Sequence, residues 1–382
     1  MLQKVIKRFI VISSILFLSS CGTITATTAL STAGSAVASK VLTHSAGFGI
    51  QSPHSIIERV MPSVVTVSVE LKEAPNNTPT RFVKPGEPTD QMPNQFSSGS
   101  GFVFHEDGFI VTNWHVVRNA IDNPATIRIG FSNFSQYEAT LFNYDATSDI
   151  AILKIINEDN EKFPAIQWGD KPKLGGHAIL IGSPIGLDFS VSFGIISAID
   201  RTILSAAPPF VPYVQTDASM NRGNSGGPLF DASGKVIGIN TLILSPPASN
   251  QEPGGSIGLG FAVDGQYVQD ILLRLAGGDK IKWSYMGIHY RLLDRPETKT
   301  NKLEFGENVI IMKVLHDGAA KDKLFEGDII QRLDGETVKH TTFATVIARK
   351  LPGTIIHLDV LRAGKMVDVD ITLMQRPERT QR

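Results

Sequence analysis

Short apolar runs punctuated by glycine, proline and asparagine dominate the chain from Ser98 to about Val263. They include Gly101 to Phe104, Phe109 to Thr112, Ile150 to Ile156, His177 to Ile181, Ser190 to Ile199 and Val236 to Leu244. Many short strands with turn signals between them predict an all-β barrel or sandwich. Upstream, Val65, Val67 and Val69 alternate with Thr66, Ser68 and Glu70, the period of a strand with one buried face. Residues 72 to 96 carry Pro75, Pro79, Pro85, Pro88 and Pro93 among polar residues and read as a long exposed loop. Downstream, Val268, Ile271, Leu272 and Leu275 have helical spacing, which predicts a helix over Gln266 to Ala276. It stops at Gly277-Gly278, a natural hinge. Residues from about Lys282 to Leu373 read as a second unit, mostly strands with one helix near Phe343 to Lys350 and no internal repeat.

A chain of 382 residues exceeds one typical core and implies about two or three domains. Hydrophobic residues make up 42% and charged residues 19%, an ordinary globular balance. Thirty-six Lys and Arg against 37 Asp and Glu leave no excess of positive charge to hold a nucleic acid. No apolar run reaches about 18 residues, the length of an ordinary spanning helix. The single cysteine, Cys21, leaves the folded domains to hold by packing without an internal disulfide.

Cys21 sits at the end of a segment with the form of an export signal. Lys4, Lys7 and Arg8 precede a short apolar stretch, Phe9 to Leu18, and then Ser19 and Ser20. Leu18-Ser19-Ser20-Cys21 resembles a bacterial lipobox, in which the cysteine is lipidated and becomes the first residue. The alternatives are a plain signal peptide with an incidental cysteine, or an uncleaved anchor. Residues 22 to 47, rich in Thr, Ala, Ser and Gly, read as a flexible tether with a helix from about Thr32 to Leu42.

The sharpest chemical signal is Gly223-Asn224-Ser225-Gly226-Gly227-Pro228-Leu229. A nucleophilic serine needs an exposed hydroxyl and two backbone N–H groups aimed at the developing oxyanion, and flanking glycines permit the tight turn. The plain alternative is a glycine-rich hairpin that happens to hold a serine. Two further segments argue against it. His115 follows a predicted strand in Thr112-Asn113-Trp114-His115-Val116-Val117, a place suited to a general base. Asp149 precedes another strand in Thr147-Ser148-Asp149-Ile150-Ala151, where a partly buried carboxylate would fix the imidazole tautomer. The order His, Asp, Ser is that of chymotrypsin, not of subtilisin or the α/β-hydrolases. The nine histidines show no zinc-binding spacing, and no P-loop is present, so neither a metal nor another cofactor is expected.

These segments, with Ser98 to Val103, Ile181 to Pro184, Gln215 to Ala218, Asn221 to Leu229 and Gly258 to Val263, resemble the HtrA (DegP, DegQ, DegS) family of serine proteases. The likeness covers most of residues 50 to 375. It implies a chymotrypsin-like double β-barrel, the triad His115, Asp149 and Ser225, and an oxyanion loop Gly223-Asn224-Ser225 with the N–H groups of Gly223 and Ser225 as donors. Met220 and Leu259 fall at pocket-lining positions; with no acidic residue at the pocket base, small or medium aliphatic side chains are expected there. Ile185 departs from the family's phenylalanine.

Trp283-Ser284-Tyr285-Met286-Gly287-Ile288, Gly327-Asp328-Ile329-Ile330 and Leu333-Asp334-Gly335 resemble a PDZ domain, with Tyr285 to Ile288 as the loop that captures a peptide carboxylate. Gly318 and Lys323 stand where that pattern often has Pro and Gly. The implied division is a signal over 1–21, a tether over 22–50, a protease domain over 51–264, a helix and linker over 265–281, a PDZ domain over 282–375 and a polar tail over 376–382. The resemblance implies an ATP-independent periplasmic endopeptidase acting on misfolded or regulatory proteins in quality control and stress response. It also implies C-terminal peptides as PDZ ligands, a homotrimer, and a membrane tether if Cys21 is lipidated. A non-proteolytic peptide-binding chaperone or stress sensor is the alternative.

Overall fold

The computed structural model describes residues 53–71, 96–183, 189–203, 210–244, 256–278 and 280–377. The chain enters through α1 (His54–Val60) and a 3-10 turn, Met61–Ser63, into β1 (Val64–Leu71). There follow β2 (Phe96–His105), β3 (Phe109–Asn113), two single-turn helices α2 (Trp114–Val117) and α3 (Asn119–Asp122), β4 (Ala125–Phe131), β5 (Gln136–Asp145) and β6 (Ile150–Ile155). These strands close in the order β1-β2-β3-β6-β5-β4. β1 pairs on both sides, Val67 lying opposite Gly99 of β2 and Ile129 of β4, so the barrel has no free edge.

A second closed barrel is built from β7 (His177–Gly182), β8 (Ser190–Arg201), β9 (Tyr213–Thr216), β10 (Pro228–Phe230), β11 (Val236–Ile243) and β12 (Gly260–Asp264), in the order β10-β11-β12-β9-β8-β7. The first barrel is filled by Val65, Val67, Val69, Val103, Ile110, Ile129 and Leu153. The second is filled by Ala178, Leu180, Ile196, Val214, Leu229 and Ile237. The opposite faces of the same strands, with Val64, Phe102, Ile150, Ile152, Ile179, Ile181 and Phe230, pack in a layer between the barrels. That double burial explains why β3 and β6 read as unbroken apolar runs while exposed β5 alternates. Each such side chain, taken fully out of water, contributes about 1.5–3 kcal/mol.

Helix α4 (Gly265–Leu275) lays Val268, Ile271, Leu272 and Leu275 into this layer. The Asp264 carboxylate caps its start, accepting from the N–H groups of Gln266 and Tyr267 at 3.0 Å each. Beyond it lie β13 (Ser284–Tyr285), β14 (Ile288–Leu292), α5 (Arg295–Asn301), β15 (Val309–Val314), β16 (Ile329–Leu333), β17 (Glu336–Thr337), α6 (Phe343–Arg349), β18 (Ile355–Arg362), β19 (Lys365–Thr372) and β20 (Met374–Gln375). The main sheet runs β14-β15-β16-β18-β19, and β13 pairs with β20. Its core includes Met286, Val309, Ile330, Phe343, Ile347, Ile356 and Val369.

α6 is shared. Phe343 and Ile347 enter the second unit's core, while Ala344 and Ala348 join the layer that reaches the barrels. Thr345 Oγ1 donates to the Phe210 carbonyl at 2.9 Å. The Trp283 ring stacks on Tyr267 and tilts against Phe210, and its Nε1 donates to Asp145 Oδ1 at 3.2 Å. The two units are thus joined by buried contacts as well as by the linker.

The structure corrects the sequence reading in places. Phe96 belongs to β2 and not to the preceding loop. The second unit holds α5 in addition to the expected helix. α5 buries only Thr298 and is held by a capping box, Asp294 with Glu297, so it has no apolar stripe to detect. The helix expected over Thr32 to Leu42 and the signal segment lie outside the described residues.

Candidate active site

The seam between the barrels gathers loops from both. β3 ends at Asn113, and the chain turns into α2, which carries His115. β6 begins at Ile150, opposite Asn113 in register, so Asp149 arrives beside that turn. Asp149 adopts a left-handed backbone, φ 59°, a conformation that costs a non-glycine residue free energy. It is held by its own carbonyl, which accepts from Trp114 N at 3.1 Å and Asn113 Nδ2 at 2.9 Å. The carboxylate then takes two bonds from one residue: His115 N to Oδ1 at 2.9 Å and His115 Nδ1 to Oδ2 at 2.7 Å. A carboxylate only accepts, so Nδ1 is the donor to Asp149, and in the neutral imidazole the free lone pair is that of Nε2. Behind the pair lies Tyr213, whose phenol is held neutral by burial first and by the charge of Asp149 second.

Ser225 comes from the second barrel, in the loop ahead of β10. Ser100 organises this loop. Its N–H donates to the Ser225 carbonyl at 2.8 Å, its hydroxyl donates to the Gly223 carbonyl at 2.7 Å, and that hydroxyl accepts from Ser183 N at 2.9 Å. Gly226 N donates to Asn240 O, and Gly227 N to Asn224 O. Gly226 has φ 86°, and a β-carbon there would collide with the Ser100 carbonyl and Thr112 Oγ1, so only glycine fits. Ser225 Oγ itself donates to the Thr241 carbonyl at 3.3 Å. Asn224 is buried. Among the described residues no backbone carbonyl takes the N–H of Gly223 or of Ser225. Ser100 lies in a stretch that resembles the family, but no spacing rule marks it as the residue that pins the loop.

Met220 is buried and lies against Gly260, next to half-buried Leu259. Nearby Asp217 is engaged elsewhere, accepting from Ile195 N at 2.7 Å. Ile185 and the stretch Ala206 to Pro209 lie outside the described residues, as does Cys21.

In the second unit, Tyr285 closes β13, Met286 turns into the core, Gly287 takes φ 76° and Ile288 opens β14. The carbonyls of Met286 and Gly287 are taken from behind by Ala320 N at 2.9 Å and Leu315 N at 2.8 Å. Lys323 Nζ donates to the Asp370 carbonyl at 2.7 Å, anchoring the loop where a glycine is more usual.

Two closed six-stranded barrels with a histidine–aspartate pair and a serine loop at their seam, followed by a second unit built on a β-sheet, define a chymotrypsin-like protease with a PDZ domain. Residues 99–239 match the trypsin-like peptidase domain family and residues 284–373 the PDZ domain family. The chain is 33% identical over 350 residues to the probable periplasmic serine endoprotease DegP-like of Halomonas elongata, spanning 85% of this chain and 71% of that protein. Its identity to the periplasmic serine endoprotease DegP of Escherichia coli K12 is 33% over 353 residues, or 84% and 72% of the two chains. Among solved structures, the HtrA-type protease AlgW with tripeptide superposes with TM-score 0.68 at 27% identity, over 85% of this chain and 98% of that one. The chain belongs to the HtrA/DegP family of serine endoproteases. It is a serine endopeptidase.

Proposed function

We propose that this endopeptidase cleaves unfolded or regulatory proteins through the triad His115, Asp149 and Ser225. The observation that carries this is the double hold of Asp149 on His115, which leaves Nε2 as the only basic ring nitrogen. In the reaction a rotation about the Ser225 Cα–Cβ bond moves Oγ from the Thr241 carbonyl to His115 Nε2. Nε2 takes the hydroxyl proton as Oγ attacks the scissile carbonyl, and the carbonyl oxygen becomes an oxyanion held by the N–H groups of Gly223 and Ser225. The imidazolium, stabilised by Asp149, returns the proton to the leaving amine. Water then hydrolyses the acyl-enzyme by the same steps. Met220 and Leu259 line a pocket for small or medium aliphatic side chains.

Residues 51–264 form the catalytic unit and 282–375 the peptide-binding unit in this reading. Peptide C-termini bind at Tyr285 to Ile288 and favour the productive form of the Asn221 to Ser225 loop, coupled through α6 and Trp283. β8 leaves Val191, Phe193 and Ile195 exposed in one row, which supports self-association, with a trimer as the expected form. The names of the relatives support a periplasmic endoprotease, for which quality control is the expected task, and the Leu18 to Cys21 run supports a lipid anchor.

The test is casein cleavage by the mature chain, with and without a panel of C-terminal peptides, against suppression of aggregation by the same preparation. Cleavage that rises with a peptide supports the reading. Aggregation suppression without cleavage under any peptide makes the protein a binding chaperone instead.

A further inference from the structure

β14 is an edge strand: β15 pairs with one side, and among the described residues no strand pairs with the other. An unpaired edge beside a helix is where a peptide adds as a strand. The carboxylate loop adjoins the C-terminal end of α6, because Ser284 Oγ donates to the Lys350 carbonyl at 2.9 Å. A ligand strand lying antiparallel to β14, its carboxylate in that loop, sets its terminal residue beside Ile288. Side chains repeat every two residues along a strand. The ligand's antepenultimate side chain therefore falls beside Tyr290 and points, like Tyr290, toward α6.

That space is already occupied. The Tyr290 ring meets Phe343 edge-on at 5.1 Å between centroids and 88°, and His340 at 5.8 Å and 74°. The ring thereby faces the first turn of α6, which carries Phe343. Thr342, the N-cap of α6, makes no side-chain capping bond. Tyr290 spans from β14 to the first turn of α6. Burial pushes the phenol up to about 12, so it stays a neutral hydroxyl. Nearer the loop, Met286, Ile288 and Ile347 form an apolar lining, and Leu351 stands exposed beyond it.

We propose that Tyr290 is a specificity-determining residue that fills the antepenultimate subsite, so that this domain takes C-terminal peptides with an apolar last residue and Gly or Ala two positions before it. Leu, Phe or Trp at that position is excluded. The proposal rests on the reading of residues 282–375 as a binder of peptide C-termini.

The test is fluorescence anisotropy with labelled decapeptides ending in valine, with Ala, Leu or Trp at the antepenultimate position, each as free acid and as C-terminal amide. The protein is the full mature chain carrying Ser225→Ala, which leaves the peptides uncut, alone and with Tyr290→Val or Tyr290→Phe. The Ala peptide should bind at least about tenfold more tightly than the Trp peptide. Tyr290→Phe, which keeps the ring, should retain that ratio, and Tyr290→Val should abolish it. Equal affinity across the series for the parent protein overturns the proposal, and this arm decides the matter even if Tyr290→Val does not fold. An unchanged ratio in folded Tyr290→Val also overturns it. Free acids and amides that bind alike overturn the carboxylate-capture reading and this proposal with it, a result distinct from a flat series of free acids.

Discussion

Trp283, at the start of the PDZ domain, donates its indole N–H to Asp145, on the catalytic domain, at 3.2 Å in a buried setting. Asp145 also accepts from Ser148 N at 2.6 Å, closing the turn that ends at Asp149. Burial raises the Asp145 pKa, and the bonds from Ser148 and Trp283 oppose that rise. Trp283→Phe keeps most of the ring packing but leaves one carboxylate oxygen buried without its donor. The expected loss of stability is about 1–3 kcal/mol. In urea unfolding, a double-mutant cycle with Asp145→Ala should return a coupling of about 0.5–3 kcal/mol. Additive single-mutant effects would mean that the contact links the domains without energetic consequence.

Gly287 and Gly318 press backbone to backbone. A β-carbon on Gly318 would lie 2.6 Å from Gly287 Cα and 2.8 Å from the Met286 carbonyl oxygen. This accounts for glycine where related domains often carry proline. Gly318→Ala must displace the Tyr285 to Ile288 loop, so it should cost about 1–3 kcal/mol and, on the proposed reading of that loop, weaken C-terminal peptide binding. Peptide titration of the full chain checks it; unchanged affinity would show that the loop tolerates the added carbon.

His340 meets Tyr290 edge-on, and burial lowers its pKa below the ordinary histidine value. A base with a depressed folded pKa binds its proton more readily when unfolded. Its contribution to stability is therefore present above the unfolded value of about 6.5 and lost as pH falls through the folded one. The urea midpoint of the PDZ domain should fall between pH 7.5 and pH 5, and should fall less in His340→Asn. Parallel pH profiles in the two proteins would assign the effect to other groups.

Much of this molecule was legible in its sequence because its chemistry is written in contiguous runs. Gly223 to Leu229, Thr112 to Val117 and Ser148 to Ile152 each combine a strand boundary with a reactive side chain, and the fold brings His115 and Asp149 into direct contact. β4 and β5 are less legible because charged Arg128 and Glu138, ion-paired with each other and with Glu70 of β1, interrupt the apolar pattern. α5 leaves no apolar signal because it is held by capping and by the Arg291–Glu297 pair and not by burial. The roles of Ser100, Trp283 and Tyr290 arise from partners more than 50 residues away along the chain. No local pattern records such a pairing.

The proposed role of Ser225 as nucleophile is tested by the turnover of an unfolded protein substrate by Ser225→Ala beside the parent chain. Both should fold alike, since among the described residues the hydroxyl donates only the 3.3 Å bond to Thr241. Turnover should drop by at least about a thousandfold, and His115→Ala should be as damaging, with the double variant little worse than either, because triad members act as a unit. Turnover by folded Ser225→Ala within about tenfold of the parent, in a preparation free of other proteases, would contradict the assignment.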